Sequence, residues 1–385
     1  MSINKTDIRF IGFNKYTRKE IKESTYRKWV MNGENNDNYK YIIERYNGST
    51  TNKAICNAYA DLIYGRGLSI KGLPDDSVQT KQLYYIIRKK ELKAVALDFQ
   101  VFNELSFMVH RTKKKGLHRI EQIEKSNVIP SVADEDRKIR SYWYSSDWTQ
   151  QHKTKYKPKK YPALGFAEDF DFELPEIYVS RPYAIGQEYF GLPDYSACLQ
   201  YAEIEEEISN YYISHIKNGL SFGTIVNVPN SAHWDEPIKQ KYIDDINNKL
   251  SGSSNAGQKA IAFLTGEEPT TITNVENNTA HKQWDFLTNE ASMKIISGHK
   301  CMSPMLVGLG SASGFSSAAD EMDMMEQQLM KRVIAPKQEF ILDSLQEIFD
   351  YFGLNFGDIY FRPLTEIEGE DEEVTKVNED VLMAK

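Results

Sequence analysis

Apolar positions along this chain change their period several times, and each change predicts an element. The N-terminal region mixes basic and polar residues with a helical pattern in "YKYIIERYNGSTTNKAICNAYADLIYGRGLSI". There Ile55, Ala58 and Leu62 recur at helical spacing, and Gly65 and Gly67 supply stop signals. A second helix is expected from about Asp76 to Leu97, with the aspartates of "LPDDS" placed to cap it. From Phe99 to about Ser180 the period drops to two. "ELSFMVHRT", "LHRIEQIEKSNVIPS" and "IRSYWYSSDW" read as short strands joined by turns such as "KKKG", and Glu176–Ser180 reads as one more strand.

The second half alternates helix and strand. Asp194 or Ser196 can cap a helix in which Ile204, Ile208, Tyr212 and Ile216 recur every four residues before Asn218-Gly219 ends it. Glu203, Glu205, Glu206 and Glu207 occupy most of its other faces, and acidic residues near a helix front favour its dipole. The strand "FGTIVNV" follows, then a helix opened by Ser231 or Asp235 and closed at Gly252, then the strand "KAIAFLTG". Another helix stops at "CMSPMLVGLGSASGFSS". The last helix is expected over about Asp320 to Phe352, carrying Met322, Met325, Leu329 and Val333, with Pro336 kinking or interrupting it.

Composition narrows the class. A chain of 385 residues with 41% hydrophobic and 26% charged positions is a folded protein large enough for several subdomains. No apolar run approaches the ~18 residues that span a bilayer, and "MSINKTDIRFIGFNKYTRKE" lacks the continuous apolar stretch of a secretory signal. Three widely spaced cysteines, Cys56, Cys198 and Cys301, argue against a disulfide framework and a cysteine-rich zinc site. The net charge of −8 is unlike that of a sequence-specific DNA reader and does not decide between a channel that lets DNA slide and an ordinary acidic protein. Lys153, Lys155, Lys157, Lys159 and Lys160 read as a solvated loop, as do Lys113 to Lys115 at a hairpin tip. The tail "EIEGEDEEVTKVNED" is acidic, with a composition that does not support a packed core.

No catalytic constellation assembles. Gly308, Gly310 and Gly314 have the spacing G-x-G-x-x-x-G, which is not the dinucleotide fingerprint, and no Lys-Ser or Lys-Thr pair follows as in a phosphate-binding loop. The histidines are scattered, with no H-E-x-x-H, and the serines of the 308–317 stretch have no nucleophile-elbow motif. No cofactor, metal or enzymatic activity is expected.

Three pieces in order and spacing carry a resemblance. "YFGLPDYSACLQYAEIEEEISNYYISHIKNG", "KLSGSSNAGQKAIAFLTG" and "ASMKIISGHKCMSPMLVGLG" together resemble the portal proteins of long-tailed bacteriophages, over about Ile177 to Leu354. Where the family commonly has a double proline, this chain has Met302-Ser303-Pro304. The resemblance implies an α+β portal-type fold: a mixed α/β wing (1–190), a stem helix (191–218), a small α/β clip (219–283), a second stem helix (284–307), a tunnel loop (308–319), a long kinked wing helix (320–352) and a short crown or C-terminal tail (353–385). It implies a homododecameric ring at one capsid vertex of the virion, assembled in the host cytoplasm. The ring would be a channel for non-specific double-stranded DNA and a docking site for the terminase large subunit, head-completion or adaptor proteins and the major capsid or scaffold protein, with no membrane partner. In that frame Gly308, Gly310, Ser311, Ser313, Gly314, Phe315 and Ser316 form the DNA-facing tunnel loop. Glu203, Glu206 and Glu207 are lumen-facing stem carboxylates, and Trp234, Lys249 and Asn255 are clip contacts. Two other readings stand beside this one: a cytosolic α/β protein-binding scaffold without catalysis, and a hydrolase using the glycine/serine loop.

Overall fold

The computed structural model describes residues 23–26, 28–170, 174–217, 224–228, 231, 233–250, 259–263, 271–274, 280–301, 303–307 and 319–364. The tunnel-loop residues Gly308 to Ser316, Asn255 and the acidic tail all lie outside this set.

The chain opens with an antiparallel hairpin, β1 (Glu23–Tyr26) and β2 (Trp29–Asn32), which the sequence patterning did not signal. Helices α1 (Asp37–Gly48) and α2 (Thr50–Tyr64) follow. The break between them is Ser49, in extended backbone, whose hydroxyl oxygen accepts from the Asn52 N–H at 3.1 Å and caps α2. After the short β3 (Leu68–Ile70) come α3 (Val78–Ile86) and α4 (Lys89–Phe102), where the sequence suggested one helix. The break is tertiary: Ile87 is extended, buried and bridged to Ile120, and this pairing overrides local helix preference. The cap of α3 is Ser77, accepting from Thr80 N–H, rather than the preceding aspartates.

The strand-rich part is two small sheets. In one, β4 (Leu105–Arg111) lies between β5 (Leu117–Gln122) and a later strand; in the other, β6 (Val128–Pro130), β7 (Ser141–Tyr144) and β8 (Lys159–Pro162) run in that order. The strand completing the first sheet is β9 (Glu176–Ser180), at the residues expected, antiparallel to β4.

Helix α5 (Leu199–Lys217) starts after a 3-10 turn at Ser196–Cys198. A three-stranded sheet then forms from β10 (Thr224–Val228), β11 (Lys259–Phe263) and β12 (Thr271–Asn274), in the order β11-β10-β12. Helix α6 (Glu236–Leu250) is the crossover that lets β10 and β11 pair in parallel. β12, absent from the sequence reading, adds antiparallel on the other side of β10. Helix α7 (Ala280–Gly298) returns from this sheet.

The last long helix runs as α8 (Ala319–Leu329), a wide π turn at Met330–Ile334, and α9 (Ala335–Tyr351). Pro336 has no N–H to donate, and its ring would press on the Arg332 carbonyl in a regular α-helix. The irregularity sits in the turn immediately before it, and Pro336 occupies the first turn of α9. The described chain closes with β13 (Ile359–Phe361), antiparallel to β3.

One main core unites these pieces. Ile55, Tyr59 and Ile63 of α2 and Leu92, Val95 and Phe99 of α4 pack with Phe107 of β4 and with Ile341, Leu345 and Phe349 of α9. Phe99 and Phe340 stack in parallel at 5.2 Å. Fully burying each such side chain contributes about 1.5–3 kcal/mol. A satellite cluster around Trp29, Trp143 and Trp148 fixes the β1–β2 hairpin to the second sheet, with ring centroids 4.9 and 5.7 Å apart.

Candidate functional site

Helices α5 and α7 form an antiparallel pair that packs on the α1–α2 side of the main core. At one end Tyr211 stacks on Trp284 at 4.6 Å. At the other, Gly298 sits against Cys198 so closely that a Cβ added there would lie 2.6 Å from the cysteine Cβ, and glycine is what permits the approach. Burial pushes the Cys198 thiol up to about 12, as it does that of Cys56, so both stay protonated and act as small apolar groups.

The acidic run of α5 has two sides. On one, the α1–α2 corner reaches it: Arg45 pairs with Glu206 at 2.9 Å and stands 3.8 Å from Glu203, and Tyr41 donates to Glu203 at 2.9 Å. Ser49 donates to Glu205, and the Thr51 hydroxyl donates to its other oxygen at 2.8 Å. Gly48 lies against the Glu206 carboxylate, which would have to shift to admit a side chain at that position. On the other side Ile204, Ile208 and Tyr211 of α5, with Trp284 and Leu287 of α7, line an open apolar groove of about 640 Å³. Glu203 and Glu207 border it, and Glu207 is exposed.

The three carboxylates expected as a set are therefore held differently. Glu206 is engaged within its own chain, Glu203 stands between the corner and the groove, and Glu207 projects at the groove rim. Of the expected clip contacts, Trp234 packs edge-on against Tyr242 at 5.5 Å, and Lys249 lies in the last turn of α6. The corner residues Tyr41, Arg45, Ser49 and Thr51 were not legible in the sequence, because they stand more than 150 positions from their partners on α5. Trp284 and Leu287 did leave a signal: α7 carries more large apolar residues than one buried stripe requires.

Where α7 ends, a buried polar cluster joins three helices and the loop before α5. His299 Nε2 is 2.7 Å from Asn52 Oδ1, and its ring stacks on Tyr195 at 4.2 Å. Burial, reinforced by the nearby Lys337 charge, pulls His299 down to about 3, so it is neutral at physiological pH. Lys337 donates to Gln100 at 2.8 Å and pairs with Asp194 at 3.5 Å; burial lowers its pKa against the opposing pull of that carboxylate. Among the described residues no group of three or more His, Cys, Asp or Glu is placed to hold a metal ion, and no helix is long and apolar enough to cross a membrane.

No protein-family model and no curated protein matches the sequence. Solved structures do. A chain of the native gene transfer agent (GTA) virion is similar at a TM-score of 0.55 and 12% identity, covering 90% of this chain and 89% of that one. A chain of the native GTA particle neck, computed with C12 symmetry, is similar at a TM-score of 0.53 and 11% identity, with 87% of each chain covered. An HK97-family phage portal protein from Corynebacterium diphtheriae is similar at a TM-score of 0.46 and 10% identity, covering 81% of this chain and 90% of that one. This chain has the α+β fold of the GTA particle subunits along nearly its whole length, as the resemblance to portal proteins anticipates.

Proposed function

We propose that this chain is the portal subunit of a tailed-phage-type particle: it forms a ring at one capsid vertex, the channel for packaging and ejecting double-stranded DNA. The ring docks terminase on one occasion and head-tail connector proteins on another. The observation that carries this reading is the fold shared with GTA virion and neck subunits over about nine-tenths of each chain. The C12 symmetry of that neck supports a ring of about twelve copies.

In this reading residues 1–190 and the long helix of 320–352 form the wing, α5 and α7 the stem, and the sheet of β10, β11 and β12 with α6 the clip. The segment 308–319 is the tunnel loop. From Met302 to Met330 the sequence has no Lys or Arg, which keeps electrostatic attraction to passing phosphates weak. The test is the mass and symmetry of the purified protein, by native mass spectrometry and class-averaged electron micrographs. A closed ring of about a dozen copies with a central hole supports the reading. A chain that remains monomeric across concentration and salt series overturns it.

A further inference from the structure

The described chain ends at Leu364, and its last residues are held in place. The Arg362 N–H donates to the Gly67 carbonyl at 2.9 Å, and a Cβ added at Gly65 would lie 3.8 Å from the Leu364 nitrogen. The Arg362 guanidinium pairs with Asp75 at 2.9 Å and reaches the Tyr84 hydroxyl at 3.5 Å. This exit stands where the end of α2 meets the start of α4. Lys89 lies over the Tyr84 ring at 5.7 Å, and Lys93 over the Tyr64 ring at 5.1 Å.

The two sides of the exit differ in charge. On the α4 side Arg88, Lys89, Lys90 and Lys93 are all exposed. Lys89 and Lys93 stand four positions apart and so share a face. Two carboxylates lie among them. Asp61 lines the same depression as Lys93; Glu91 stands 3.3 Å from Lys90 and accepts from the Gln122 N–H of β5 at 3.0 Å. On the other side Pro363 shares a depression with Asp323 and Glu326 of α8, where Lys331 is the cation. Beyond Leu364 the sequence places Glu366, Glu368, Glu370, Asp371, Glu372 and Glu373 with no Lys or Arg between them.

We propose that the acidic segment 366–373 docks on the basic start of α4 in its own chain. The carboxylates of α8 repel it from one side of the exit, and the cations of α4 attract it to the other. Reach is ample. Glu366 is two residues past Leu364, ~7 Å when extended, and Glu373 is nine past it, ~30 Å. Lys89 and Lys93 are only ~6 Å apart along their helix. Each exposed ion pair is weak by itself, but a tethered segment presents several at high local concentration. The segment thereby covers a surface that would otherwise attract polyanions such as nucleic-acid phosphates. The contact belongs to a single copy and does not rest on the ring reading.

The test is carbodiimide coupling of the purified full chain, which joins a carboxylate to a lysine amine in contact with it. Product of monomer mass is isolated under denaturing conditions and mapped by peptide mass spectrometry. The expected links join residues 366–373 to Lys89, Lys90 or Lys93, several-fold more often than to Lys331, which also stands beside Pro363. Their yield is expected to fall about fivefold between ~0.1 M and ~1 M salt, as the screening length drops from about 10 Å to about 3 Å. Equal yields at Lys331 and Lys93 would mean tethering without docking and overturn the proposal. So would links found only in product of dimer mass, links only to Lys153–Lys160, or no links at all. The variant Glu370→Gln/Asp371→Asn/Glu372→Gln/Glu373→Gln keeps Glu366 and Glu368 beside the exit. Their coupling to Lys93 is expected to fall with the lost charge, and an unchanged yield overturns the contact.

Discussion

Ile341 of α9 and Phe286 of α7 are both large apolar side chains on helices of similar length, yet Ile341 is fully buried and Phe286 is 64% exposed. The contrast extends to their surroundings. The main core closes over Ile55, Phe99, Phe107 and Phe349 until almost no surface remains, and even its charges, Lys125 with Glu104, are sealed inside. The α5–α7 pair leaves Ile213, Ile216, Phe286 and Met293 in solvent. Hydrophobic free energy is therefore already realised in the first region and still available in the second, at about 25 cal/mol for each Å² that a partner would cover. The first region accounts for the stability of a single copy, and the second keeps its apolar surface in solvent.

Four changes sharpen or break that contrast. The largest effect is expected from Lys125→Met. Lys125 pairs with Glu104 at 3.2 Å and donates to Tyr39 at 2.8 Å, with both charged groups essentially without solvent contact. Leaving Glu104 buried without its cation costs about 3–5 kcal/mol, measured as a fall in the urea midpoint. Next, Ile341→Ala removes a side chain from between α9 and the rest of the core and costs about 2–5 kcal/mol, read the same way.

The third change is pH. His299 is held neutral in the folded state, at about 3, whereas in the unfolded chain it takes up a proton near pH 6.5. Its contribution to stability is present above pH 6.5 and declines as pH falls from there towards 3. At pH 5 the loss is about 2 kcal/mol, and His299→Gln should flatten this limb of the pH–stability curve. The smallest effect on a single chain is expected from Phe286→Ser, within ~0.5 kcal/mol of wild type when the protein is held monomeric. A cost of several kcal/mol there would mean that the α5–α7 pair is packed within its own chain, and the contrast between the two regions would dissolve.

Periodicity made most helices and many strands legible, including the long final helix, whose apolar residues recur every four positions. It failed where a distant segment decides. Ile87 leaves helical geometry to bridge Ile120, and β3 becomes a strand only because Ile359–Phe361 arrives beside it. The acidic face of α5 was plain in the sequence, but its division was not. That Arg45 pairs with part of it and Ser49 and Thr51 hydrogen-bond to it depends on a corner contributed by the other end of the chain. The groove was half legible, as surplus apolar residues on α7 without a location for the surface they form.

The wide turn before Pro336 has a further consequence, which concerns rotational phase. Leu329, Val333, Lys337, Ile341, Leu345 and Phe349 are all buried, and they stand four residues apart throughout. In an unbroken α-helix a spacing of four advances the face by about 40° at each step, so such a series would wind away from any flat core. A turn that takes in more residues than an α-turn returns part of that drift at Met330–Ile334 and keeps the whole series pointing inwards. Removing one residue from the turn would leave a regular α-helix in the same phase, with Ile341 and Leu345 still facing the core, whereas straightening the turn without removing a residue would rotate both by about 100°. The wide turn thus absorbs the one residue that a regular helix could not carry between Leu329 and Phe349 without turning its apolar face away.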